Sequence, residues 1–144
     1  MWYDWSFMAS EQTTPFSARL NTRLVERLKA LSTRDGVSAS QLAERYIDEG
    51  IRSEEFPGIV FRPGPAGRRA GLVGGPDVWE VVRDLRRAEE AAAADPVVTV
   101  MGASDLSDVQ VRLAAAYHTA YPDEVDARIA AEEELSQRLL AAFV

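Results

Sequence analysis

Apolar and polar residues alternate over Phe16, Ser17, Ala18, Arg19 and Leu20, the period of two that sends successive side chains to opposite faces of a short strand. Pro15 has no N–H to give a ladder, so pairing is predicted to begin at or after it. The period then changes. Asn21 suits a helix N-cap, and Leu24, Leu28 and Leu31 recur at helical spacing, predicting a helix of about ten residues that Asp35 and Gly36 end. Ser38 is a second N-cap, and Leu42, Ala43, Tyr46, Ile47 and Ile51 make the inner face of a helix predicted to end near Gly50 to Ser53. One short strand and two helices bury too little to stand alone, since domains below about 40 residues need a staple or a partner. A second copy is therefore expected.

Residues 54–76 are rich in Gly and Pro, yet Ile59, Val60, Phe61, Leu72 and Val73 are strand-like, which predicts a hairpin or wing turning at Pro63 to Gly67. Asp77 and Glu80 have capping-box spacing ahead of a helix faced by Val78, Val82 and Leu85. That helix is expected to continue or restart through the alanines ending at Asp95 and Pro96. After a VVTV stretch, Ser107 and Gln110 repeat the capping spacing before a helix carrying Val111, Ala115 and Tyr117. Pro122 fits the first position of a last helix, with Val125, Ile129, Leu135, Leu139, Leu140 and Phe143 as its apolar positions. The fold class expected is mainly α with short β.

Charge sharpens this division. The net charge is −7, but residues 13–53 carry seven Lys or Arg against five Asp or Glu, while 54–144 carry nine against sixteen. A modestly basic front suits phosphate, and an acidic back suits some other partner or only solvent. There is no cysteine and a single histidine, His118, so neither a disulfide framework nor a zinc site is expected, and a reducing, cytoplasmic location fits. The lead MWYDWSFM is too short for a membrane span and lacks the basic start of a signal peptide, so it reads as a flexible tail over 1–14, with a possible role as an interaction segment. No membrane partner is expected.

FSARLN, the leucine face behind it and DGVSASQLAERYI together resemble the CopG/Arc/MetJ ribbon-helix-helix family, over about 40 of the 144 residues. The resemblance implies that two chains pair their strands into a ribbon that enters the DNA major groove. Phe16, Ala18 and Leu20 would face the dimer core, leaving Ser17 and Arg19, flanked by Asn21, to read base edges. It also implies that Ser38, Ala39 and Ser40, at the start of the second helix, grip a phosphate. Pro15 stands where the family usually has the first of three groove-facing polar residues, which leaves two readers per strand. Against this, Ser17 and Arg19 on their own are no more than the wet face of an edge strand.

PGIVFR, GRRAGLVGGPDVWEVV and LSDVQVRLAAAYHTAYPDEVDARIA resemble the DUF-four-three-three family, over roughly 57–131. That resemblance implies a winged or helix-turn-helix-like domain over 54–144, following a ribbon-helix-helix domain over 15–53. It further implies an antitoxin role with a PIN-like nuclease as the toxin. In the family the Gly-rich turn is more commonly followed by Thr-Arg; here it is Gly67, Arg68, Arg69.

Three candidate surfaces follow in the second domain. Arg62, Arg68 and Arg69 could meet a second DNA segment, meet a toxin, or simply pair with Asp77 or Glu80. Leu139, Leu140 and Phe143 could lie in a toxin's groove with Glu132, Glu133 and Glu134 toward a basic channel, or pack on their own domain or dimer mate. His118 beside Tyr117 and Tyr121 has no nucleophile or paired carboxylate at useful spacing. The glycines at 64, 67, 71, 74 and 75 match neither a Walker loop nor a dinucleotide fingerprint. No catalysis and no cofactor are expected. The reading is a homodimeric antitoxin that represses its own operon and neutralises a cognate toxin. A stand-alone repressor and a dimeric protein-interaction module are the alternatives.

Overall fold

The computed structural model describes residues 12–65 and 67–143, so the tail expected over 1–14 lies almost wholly outside the described residues. The chain is mainly helical with one two-stranded antiparallel sheet, and divides into two compact units between Gly50 and Ile51.

In the first unit, residues 12–21 carry no secondary structure. The strand expected over Phe16 to Leu20 is not formed in the single chain, where no second strand offers it a ladder. Helix α1 (Thr22–Asp35) starts where Asn21 Oδ1 accepts from Arg23 N at 2.9 Å. It stops at Gly36, whose φ of 68° is the left-handed conformation that favours glycine after a helix. Helix α2 (Ala39–Glu55) begins with a reciprocal cap: Gln41 N donates to Ser38 Oγ at 3.1 Å and Ser38 N to Gln41 Oε1 at 3.3 Å. It runs past the predicted end at Ser53, closed by the bond from Phe56 N to Arg52 O.

The second unit places strands β1 (Ile59–Arg62) and β2 (Arg69–Leu72) in register, with Ile59 opposite Leu72 and Arg62 opposite Arg69. Val73, expected in the strand, lies just beyond it and is exposed. Helix α3 (Val78–Glu90) opens on the expected capping box of Asp77 and Glu80. It then packs against β2, α4 (Pro96–Gly102), α5 (Asp108–Ala120) and α6 (Pro122–Ala142). Ile59, Leu72, Val78, Val81, Val82, Val100, Val111, Tyr117, Val125 and Ile129 form the core.

Two sequence expectations are corrected here. The alanine run does not continue α3. Ala92 has φ 55° and Ala93 N reaches back to Ala88 O at 3.0 Å, a Schellman-type end with alanine where glycine is usual. The VVTV stretch is α4 itself, started by Asp95, whose Oδ1 accepts from Val97 N and Val98 N, and by Pro96 at its first turn.

Candidate nucleic-acid interface and the arginine hairpin

In the first unit the residues expected to meet DNA all lie at the surface or at a helix start. Ser17 and Arg19 are exposed, alternating with Phe16 and Leu20, which are themselves 83 % and 50 % exposed. Leaving a phenylalanine and a leucine this open is costly, at roughly 1.5–3 kcal/mol for each large apolar side chain that could be buried. Further along, Leu24, Tyr46 and Ile47 are also exposed, and α1 buries no residue. Only Leu42 is fully enclosed among the described residues of this unit. The apolar stripes of α1 and α2 are thus built but only partly covered, with Leu28, Leu31 and Ala43 half-buried.

Asn21 Oδ1 is committed to capping α1, which leaves its Nδ2 amide as the group that could reach DNA. Around Ser38 the bookkeeping is different. Gln41 N is satisfied by Ser38 Oγ and Leu42 N by Ser38 O, which leaves the N–H groups of Ala39 and Ser40 at the positive end of α2. Both side chains are small, so an anion can approach the backbone there.

In the second unit the arginines of the hairpin face inward. Asp77, buried at 7 % exposure, receives the Nε of Arg69 and lies 3.7 Å from the Nε of Arg62. Arg62 Nη2 also donates to Leu72 O and Gly75 O, both at 2.9 Å. Arg69 Nη1 donates to Pro63 O at 3.3 Å, and Arg68 Nη2 to Phe61 O at 3.2 Å. Of the three roles open to this cluster in sequence, the geometry supports pairing with Asp77 for Arg62 and Arg69. Glu80 is not their partner; it accepts from Asp77 N at 2.9 Å. The glycine at 71 now has a reason: a Cβ there would lie 2.0 Å from Arg62 Nη2. It is space for a guanidinium, not for a phosphate.

Two polar clusters escaped the sequence reading. Arg52 Nη1 donates to Tyr117 OH at 3.0 Å and to Glu124 Oε2 at 2.5 Å, while the Tyr117 hydroxyl donates to Glu124 Oε1 at 2.6 Å. The Arg52 guanidinium also lies 4.0 Å from the centre of the Tyr121 ring, whose hydroxyl donates to Glu55. Burial and then the Glu124 carboxylate hold the Tyr117 hydroxyl well above its ordinary pKa, so it stays a neutral donor. Burial works to lower the Arg52 pKa, but Glu124 and Tyr117 outweigh it and raise the pKa. The only sequence clue was Arg and Tyr at ends of helices whose mutual placement is tertiary.

His118 Nε2 lies 2.7 Å from Asp126 Oδ1, which also accepts from Arg86 Nη2 at 2.6 Å. The short contact to a carboxylate requires the proton on Nε2, so the 3.3 Å approach of Arg86 Nη2 to the same nitrogen is not a hydrogen bond. Partial burial pushes the Asp126 carboxyl up, but the hydrogen bonds from His118 and Arg86 prevail and hold it below the usual range. The cluster is a surface tie between α3, α5 and α6, without a nucleophile.

On α6, Leu139, Leu140 and Phe143 are exposed, with Leu135 on the same half of the helix. No helix among the described residues is long and apolar enough to cross a membrane. No group of His, Cys, Asp and Glu among them could hold a metal ion. No family model, no curated protein and no solved structure matches the chain.

Proposed function

We propose that this chain is a homodimeric, sequence-specific DNA-binding regulator that acts as the antitoxin of a type II toxin–antitoxin pair. The observation that carries the reading is the uncovered apolar face of the first unit. Phe16, Leu20, Leu24, Tyr46 and Ile47 are each exposed, the first two in a segment whose alternate residues are Ser17 and Arg19. Two copies pairing residues 16–20 antiparallel would cover the apolar set and present two serines and two arginines on the other side, a ribbon of major-groove width. Ala39 and Ser40 at the start of α2 would then hold the flanking phosphates through their N–H groups. The modest positive charge of residues 13–53 supports DNA on this side, and the acidic remainder supports a protein, a PIN-like nuclease toxin, on the other.

The test is retardation of the gene's own upstream DNA by the wild-type chain and by Arg19→Ala, with the mass of each measured in solution. Each bidentate arginine–guanine contact is worth about 1–3 kcal/mol, so losing one from each strand should abolish the specific shift while the dimer persists. Unaltered binding would remove the ribbon from this account. The antitoxin part requires an adjacent small gene whose product is toxic alone and co-purifies with the chain; a gene standing alone contradicts it.

A further inference from the structure

The second half of α6 leaves the core behind. Val125 and Ile129 are buried, yet from Glu133 onward every described residue of the helix is exposed. Where α6 diverges from α3 an open cleft of about 380 Å³ remains. Trp79, Arg83 and Arg87 line it from α3, and Glu132, Glu133, Ser136 and Gln137 from α6. Positions 133, 136, 140 and 143 share one helical stripe, so the α6 wall of the cleft continues into Leu140 and the C-cap Phe143, which are 69 % and 88 % exposed. At the other end, Trp79 Nε1 is buried with no hydrogen-bond partner among the described residues.

From this arrangement we propose that the cleft and the α6 stripe form one docking groove for a basic amphipathic helix of a partner protein. The inference rests on the protein-partner half of the proposed function and gives that partner its chemistry. At the cleft itself, Arg83 and Arg87 are both held by Asp84, at 2.9 and 3.7 Å, so the charge is decided by the acids of α6. Glu132 and Glu134 are held by Arg128 and Arg138 at 2.5 and 3.1 Å, whereas Glu133, on the cleft, makes no ion pair among the described residues. With residues 54–144 at net −7, nucleic acid is repelled and a cationic protein segment is drawn in. A second copy would set acid against acid. It would also gain little: four apolar side chains, Leu135, Leu139, Leu140 and Phe143, fall short of the roughly 800 Å² per partner that a stable interface buries. A partner's helix instead fills the cleft over Trp79 with an apolar side chain and places Lys or Arg beside Glu133.

The experiment uses the full chain with Trp2→Phe and Trp5→Phe, which leaves Trp79 as the sole indole. The probe is a synthetic Leu/Lys amphipathic helix of about 18 residues, long enough to be helical in water. A Leu/Glu peptide of the same pattern is the control, both at about 0.15 M salt to suppress unspecific attraction. Saturable change in Trp79 emission with the basic peptide alone is expected, weakened at least tenfold by Leu140→Asp or Phe143→Asp and several-fold by Glu133→Lys. These positions are exposed, so circular dichroism of the variants should match the parent.

Equal response to both peptides, no saturation, or indifference to Leu140→Asp and Phe143→Asp overturns the proposal. So does a fall in assembly mass on Leu140→Asp without peptide, which would assign the face to a second copy. Arg19→Ala should leave the titration unchanged. A chain that binds the basic peptide but not its upstream DNA therefore sinks the regulator reading alone, and the reverse sinks the groove alone.

Discussion

The Tyr117 hydroxyl donates to Glu124 at 2.6 Å while its ring is entirely enclosed between Phe56, Phe61 and Tyr121. One residue thereby anchors both the apolar core and the polar network that includes Arg52. Tyr117→Phe keeps the ring and removes one donor and one acceptor, leaving the direct Arg52–Glu124 pair in place. A loss of about 1–2 kcal/mol is expected from the bonds to charged groups. Tyr117→Ala should cost about 3–5 kcal/mol, because it also leaves a cavity. Urea unfolding of the two variants separates the contributions.

Acid should weaken the second unit through Asp126. Its carboxyl titrates below the usual range when folded, so its contribution is fully present above the unfolded pKa of about 3.9 and is lost as pH falls through the lower folded value. Asp126→Asn should therefore be less stable than the parent at neutral pH, and the two stability curves should converge below about pH 4. A difference that stays constant down to pH 2.5 would mean that Asp126 is not the titrating group.

If two copies pair as proposed, the first unit's stability should depend on protein concentration, because folding and pairing would then be one event. Each tenfold dilution should cost the paired state about 1.4 kcal/mol. Ile47→Asp places a charge on the apolar stripe of α2 and should leave a monomer in which α1 and the part of α2 before Ile51 melt early, while the second unit, from Ile51 onward, is unaffected. Calorimetry at two concentrations, for parent and variant, checks both statements.

Ala92 offers a gain rather than a loss. With φ at 55°, its Cβ sits in the left-handed region that costs an L residue roughly 1–2 kcal/mol. Ala92→Gly should raise stability by up to about 1 kcal/mol, the benefit being partly offset by the greater freedom of glycine when unfolded. Thermal unfolding should show a higher midpoint. No change would mean that the turn has another support.

Local chemistry explains what could be read from the sequence. Asn21, Ser38 and Ser107 each accept from a backbone N–H within three residues, and Asp77 N donates to Glu80 three residues on, so their helix starts were visible in a short window, as was Pro122. The same locality misled at Ala91 to Ala94, where the strongest helix former occupies a turn closed by the bond from Ala93 N to Ala88 O. Asp95 and Pro96 carried a start signal for α4, but the β-branched residues behind them obscured it. At the hairpin, nearness in sequence grouped Arg62, Arg68 and Arg69 correctly, yet only the fold shows two of them turned onto Asp77. Arg52 and Glu124 are 72 positions apart, and no spacing rule joins them.

Gly71 and Arg62 make one object: a guanidinium laid across a residue with no side chain, reaching Leu72 O and Gly75 O beyond it. Neither can be altered innocently while the other remains. Over evolutionary time the two positions should be inherited as a pair, and a lineage that shortens the arginine is released from the glycine. Such a lineage would need another donor for the carbonyls of the turn. The order of the two changes is set as well, since filling position 71 first would displace the arginine, whereas losing the arginine first costs its bonds to Leu72 O and Gly75 O but clears the space above position 71.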